Sequence, residues 1–147
     1  MRRLLIAPAA LLLTLALAGT AFAASPHQVG STNVSVSGNA LTISAKIAGL
    51  GNVGTATFDL EGSVDVSSRC YTRSGNKPQA ANKQETLTID ESGTFPVRNG
   101  TATPTFTITP LSTLECPPGQ MVVIESVTYD LTISYLGDVL VSASGSF

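Results

Sequence analysis

Tryptophan is absent, histidine occurs once and cysteine only twice in 147 residues. One imidazole and two thiols are too few for a structural zinc site, which takes four such ligands. Charge is scarce too, at 12% of residues, beside an ordinary 43% of hydrophobic residues. That balance excludes a disordered acidic or basic tail, which needs high charge and low hydrophobicity. A net charge of −2 and an isoelectric point near 5.2 exclude a nucleic-acid binder driven by phosphate neutralisation. A helical period of apolar residues is also missing, as are internal repeats, linkers and low-complexity tracts. The length suits one domain.

Long apolar runs are confined to the N-terminus. Arg2 and Arg3 precede an apolar stretch from Leu4 to Leu17, and Ala21-Phe22-Ala23 follows. A charged, an apolar and a small-residue region in that order predict a secretory signal over residues 1–23, cleaved after Ala23. Gly19 and Thr20 end the run short of the 20 or so residues that a membrane span needs. No cysteine marks a lipoprotein anchor, and the residues around Arg2-Arg3 do not match a twin-arginine signal. The mature chain, residues 24–147, is therefore expected to be secreted, with no membrane span of its own. It carries ten acidic and six basic side chains. Its two cysteines allow one pairing, so a Cys70–Cys116 disulfide is expected in an exported protein. Closing a loop of about 47 residues corresponds to roughly 4 kcal/mol of chain entropy.

The mature chain alternates apolar and polar residues with a period of two, the mark of half-buried strands. Gly38-Asn39 makes a two-residue turn that pairs Val36 with Leu41 and Val34 with Ile43. Ala56, Phe58, Leu60, Gly62, Val64, Val66, Ser68 and Cys70 keep one parity. A two-residue hairpin at Glu61-Gly62 would turn polar residues inward, so one long strand bent at Gly62 is expected, with a three-residue turn, which also keeps parity, as the alternative. Thr72 to Lys83 reads as a polar connection, Ser92-Gly93 as a turn, and Asn99-Gly100 as a hairpin turn pairing Val97 with Ala102. Pro96 and Pro104 place that hairpin at a sheet edge. Pro110 to Gly119 reads as a loop. A strand through Val127, Leu131 and Tyr135 then leads by a turn at Gly137-Asp138 to a last strand with Val139 and Val141. Seven to nine such strands predict an all-β antiparallel sandwich of immunoglobulin-like type, with a closed barrel as the alternative.

The run Leu41-Thr42-Ile43-Ser44, then Ala48-Gly49-Leu50-Gly51, Cys70, Ser74-Gly75-Asn76-Lys77-Pro78, Asn99-Gly100 and Cys116-Pro117 resembles a group of small, uncharacterised secreted bacterial proteins common in actinobacteria. The resemblance spans most of the mature chain through short motifs. It departs at Thr72 and Ser74, where similar chains often carry Asn and Gly, and in lacking a Trp after the second Cys-Pro. It implies export and the fold, and no activity. A bacterial source would also leave the glycosylation sequons at Asn33 and Asn99 without meaning.

Candidate chemistry is sparse. His27 lies near the expected mature N-terminus, where a catalytic imidazole would not be held. Asp59, Glu61 and Asp65 share the face opposite Phe58 and Leu60. They are weak Ca²⁺ candidates, or an acid/base pair of a small hydrolase, against the plainer reading of a solvated strand face. No catalytic residue and no cofactor is assigned. The remaining feature is cationic: Arg69, Arg73, Lys77 and Lys83 fall together, with Tyr71 and Asn76 among them, on an acidic chain. A loop rooted at Cys70 with this composition predicts a binding segment on a rigid scaffold. The expected function is a non-enzymatic binding or envelope protein whose partner is an anionic envelope polymer or an acidic protein. An inhibitor of a secreted protease, acting through the same loop, is the alternative. Replacing the four cations by serine is expected to leave stability nearly unchanged.

Overall fold

A computed structural model describes residues 25–75 and 77–147, so the expected signal over residues 1–23 lies outside the described residues. Seven strands follow one another: β1 (His27–Ser37), β2 (Ala40–Ala48), β3 (Thr55–Thr72), β4 (Pro78–Pro96), β5 (Thr105–Ile108), β6 (Gln120–Tyr135) and β7 (Asp138–Ser146). They form two antiparallel sheets, β1-β2-β5 and β4-β3-β6-β7. The described residues contain no helix long and apolar enough to cross a membrane.

Alternation decides which side chains meet between the sheets. On β2, Leu41, Ile43, Ala45 and Ile47 are buried while Thr42, Ser44 and Lys46 are not. On β3, Ala56, Phe58, Leu60, Val64, Val66 and Cys70 are buried, and Leu131, Ile133 and Val141 close the layer from β6 and β7. Phe58 sits in an aromatic group, 6.2 Å from Phe95 and 5.3 Å from Tyr135 between ring centroids. Burying a side chain of that size contributes roughly 1.5–3 kcal/mol.

Two hairpin features match the sequence reading. Val36 pairs with Leu41 and Val34 with Ile43 around Gly38-Asn39. β3 runs unbroken through Gly62, which adopts φ 139°. Four expectations need correction. Most of the polar connection after Thr72 is strand: β4 begins at Pro78, so only residues 73–77 lie between β3 and β4. Its polar residues are tolerated because β4 is an edge strand with one face in solvent. Ser92-Gly93 is not a turn but lies within β4, with Gly93 opposite Phe58. The turn before β7 is Leu136-Gly137, both with positive φ, rather than Gly137-Asp138. A register shift beyond Ile133 then leaves Val139 60% exposed, while Val141 is buried. The Asn99-Gly100 turn does form, enclosed by Arg98 and Thr101. Its arms, however, bridge the two sheets instead of lying at one edge: Val97 N–H donates to Gly54 and Ala102 pairs with Ile47.

Candidate functional site

The Cys70 end of the sandwich is braced by a disulfide and a cluster of side-chain hydrogen bonds. Cys70 on β3 is bonded to Cys116 in the loop between β5 and β6. That loop is held at two further points. Asn39, in the β1–β2 turn, takes both sides of Ser112: its Oδ1 accepts from the Ser112 N–H at 2.8 Å, and its Nδ2 donates to the Ser112 carbonyl at 3.0 Å. Glu85 of β4 accepts from the Ser112 hydroxyl at 2.8 Å, the Thr113 N–H at 2.9 Å and the Thr113 hydroxyl at 2.6 Å. Lys83 adds an ion pair to Glu85 at 3.0 Å. Behind them, Ser112 Oγ lies 2.7 Å from the buried Ser68 Oγ. With the Ser112 hydroxyl proton given to Glu85, the Ser68 proton is shared between Ser112 Oγ and the Lys83 carbonyl oxygen at 3.3 Å.

Donation from the Thr113 hydroxyl leads the forces that lower the Glu85 carboxyl to about 2, with Ser112, the Thr113 N–H and Lys83 acting the same way against partial desolvation. The consequence for stability has a definite sign. A carboxyl lowered on folding stabilises the fold above its unfolded value near 4.5, and that contribution is lost as pH falls towards 2. Stability measured by urea unfolding should therefore drop between about pH 4.5 and pH 2, and Glu85→Gln should flatten that slope. An unchanged slope in the variant would assign the acid sensitivity to other carboxylates.

The structure divides the six predicted loop residues. Arg69 Nε lies 3.2 Å from Glu125 Oε1, and the Tyr71 hydroxyl donates to the same oxygen at 2.9 Å. That bond, which the phenolate could not donate, raises the Tyr71 hydroxyl above its usual range, helped by desolvation and the Glu125 charge. Lys83 is held by Glu85 and Thr113. Arg69, Tyr71 and Lys83 are thus tied to the scaffold, and substituting all four cations would also remove these two ion pairs. Arg73 and Lys77 instead occupy the exposed turn and make no ion pair among the described residues. The Thr72 N–H donates to the Lys77 carbonyl at 3.0 Å, and the Arg73 N–H to the Gly119 carbonyl at 3.1 Å. Asn76 lies outside the described residues.

Asp59, Glu61 and Asp65 do not converge. They follow one another along the outer face of an extended strand, about 6.6 Å for each two residues, and Asp65 accepts from the Thr86 hydroxyl at 2.6 Å. Among the described residues no three His, Cys, Asp or Glu side chains come close enough to hold a metal ion. Asp65 and Glu85 do line one open groove of about 350 Å³. An acid/base pair needs one carboxyl raised towards neutrality, and Glu85 is lowered instead. His27 is exposed, with Nδ1 2.8 Å from the Ser25 carbonyl oxygen.

Sequence reasoning missed the bracing by Asn39, Ser68, Glu85, Ser112 and Thr113. It also missed a second cationic place. At the opposite end of β3, Lys46 and Arg98 line a groove of about 520 Å³ with Asn99, Thr101 and Thr103. No family model matches the chain, and no curated protein matches it.

Proposed function

We propose that the protein is an exported, non-enzymatic binding module that presents Arg73 and Lys77 to an anionic partner, with an envelope polymer as the leading candidate. The observation that carries this reading is the contrast at the Cys70 end. Two cations stand exposed between β3 and β4, while neighbouring Arg69 and Lys83 are paired with Glu125 and Glu85 within a braced scaffold. A disulfide and the Glu85 bonds limit the entropy lost when a partner fixes the turn, which favours binding. The net negative charge of the rest of the mature chain confines any attraction for an anion to this end and to the Lys46–Arg98 groove.

The strand order supports an immunoglobulin-like reading of the sandwich. β1, β2 and β5 form one sheet and β3, β6 and β7 belong to the other, with β4 beside β3. Immunoglobulin domains share that division except for the fourth strand. The disulfide fits an oxidising, extracytoplasmic location. The protease-inhibitor reading draws less support, because Arg73 lies in a turn closed by a backbone hydrogen bond and not in an extended segment.

The test is binding of the mature protein to isolated, partner-bearing cell wall at low and high salt. The parent should bind at low salt and dissociate as salt is raised. Arg73→Ser/Lys77→Ser should weaken binding about tenfold or more while moving the thermal midpoint by little, since both side chains are exposed. Equal binding by the double variant at low salt would move the search to the Lys46–Arg98 groove.

A further inference from the structure

β6 is longer than the strand that should cover it. It spans Gln120–Tyr135, whereas β7 accompanies it from Tyr135 only to Thr128, and a last pair of backbone bonds joins Val127 to Phe147. Between Gln120 and Ser126, β6 pairs with β3 on one side. Among the described residues, no strand pairs with its other side.

The bare segment reads Gln120-Met121-Val122-Val123-Ile124-Glu125-Ser126. Four consecutive apolar residues without proline or glycine have the composition of a strand that recruits another. Proteins normally blunt such an edge with charge, proline or a bulge. β4, the opposite edge of this sheet, carries Lys83, Glu85, Asp90 and Glu91 and has proline at both ends. The bare part of β6 has one register shift, between Ile124 and Ser126, and one charge, Glu125, which Arg69 and Tyr71 already engage.

Beside this edge the sandwich is open. A groove of about 360 Å³ runs between Met121–Ile124 and the end of the first hairpin, Val36, Gly38 and Asn39. Val122 lies opposite Cys70 and Ile124 opposite Ser68, both inward-facing, so these two side chains border the interior. Met121 and Val123 lie opposite Tyr71 and Arg69 on the outer face, and Met121 is 45% exposed.

We propose that this edge is a self-association surface, on which β6 of a second copy pairs antiparallel across a two-fold axis at Val123. A bare antiparallel edge is its own complement, because each copy offers the same alternation of donors and acceptors. An axis perpendicular to the sheet keeps inner face beside inner face. It sets Val122 of one copy against Ile124 of the other, over the groove, and Met121 against Glu125. The two Glu125 carboxylates then stand about 13 Å apart along the strands, beyond the screening length at physiological salt. Two four-stranded sheets become one continuous sheet.

Sedimentation of the protein from about 1 μM to about 1 mM covers the range in which a small interface dissociates. A monomer–dimer equilibrium is expected. Val123→Lys places on the edge the residue that natural edges use, and should weaken the dimer about tenfold or more. Leu136→Asp, at the exposed turn before β7, should leave it unchanged. Hydrogen exchange on the parent gives a second reading that needs no variant: amides within residues 120–126 should gain protection as concentration rises. A monomer at every concentration overturns the proposal. So does a dimer that survives Val123→Lys in a folded variant, is lost in Leu136→Asp, or forms without added protection in residues 120–126.

Discussion

Replacing Cys70 and Cys116 together by alanine is expected to lower the unfolding free energy by about 4 kcal/mol. The bond joins residues 46 apart in sequence, so its loss frees a long loop in the unfolded chain. It should shift the thermal midpoint of a domain of this size by about 15 °C. In urea the midpoint should fall and the slope should rise, because the unlinked denatured chain exposes more surface. The effect has a functional side. Cys116 anchors the loop whose Gly119 carbonyl accepts from the Arg73 N–H at 3.1 Å. Freeing that loop leaves the cationic turn with its own hairpin bonds only, so the proposed binding to an anionic partner should weaken even at temperatures where the variant is folded. A loss below about 1 kcal/mol would show that residual structure in the denatured chain, or strain relieved in the folded one, offsets the loop entropy.

The sandwich was legible in the sequence where alternation ran undisturbed. The β1–β2 register followed from Gly38-Asn39 because matching apolar faces allow only one pairing. The disulfide followed from having two cysteines in a chain whose N-terminus reads as an export signal. The turn at Leu136-Gly137 was hidden because the register shift beyond Ile133 changes the parity of β7, so Val139 and Val141 do not share an environment. Gly93 imitates a turn glycine but serves packing. A Cβ there would meet the Phe95 ring at 2.8 Å and the Phe106 ring at 3.2 Å, and those rings stack edge to face at 5.3 Å. The bracing of the candidate site was illegible for another reason. Asn39 and Ser112 are 73 residues apart, and Glu85 and Thr113 are 28 apart. Only the finished fold brings them together, and no local pattern marks them. Sequence proximity grouped Arg69 and Lys83 with Arg73 and Lys77, yet the first pair meets carboxylates from β6 and β4.

Gly62→Ala should be among the most damaging single substitutions in the chain, with a loss of about 3–5 kcal/mol. Two independent costs combine there. The backbone has φ 139°, a region that residues with a Cβ rarely adopt. A Cβ on this backbone would also lie 2.1 Å from the Asp130 carbonyl oxygen and 3.0 Å from the Leu131 Cα. Those atoms belong to the β6 backbone, not to a flexible side chain, so relief requires moving β6 away from β3. The two strands pair from Asp59 to Thr72, with Gly62 opposite Leu131. Displacing them at this point would open the layer that holds the fully buried Leu60, Val64 and Leu131. Ser63→Ala, one residue along on the outer face, serves as the control and should cost little. Urea unfolding of both variants checks the expectation. If Gly62→Ala is as stable as Ser63→Ala, the close approach of β3 and β6 at Gly62 is not required by the fold.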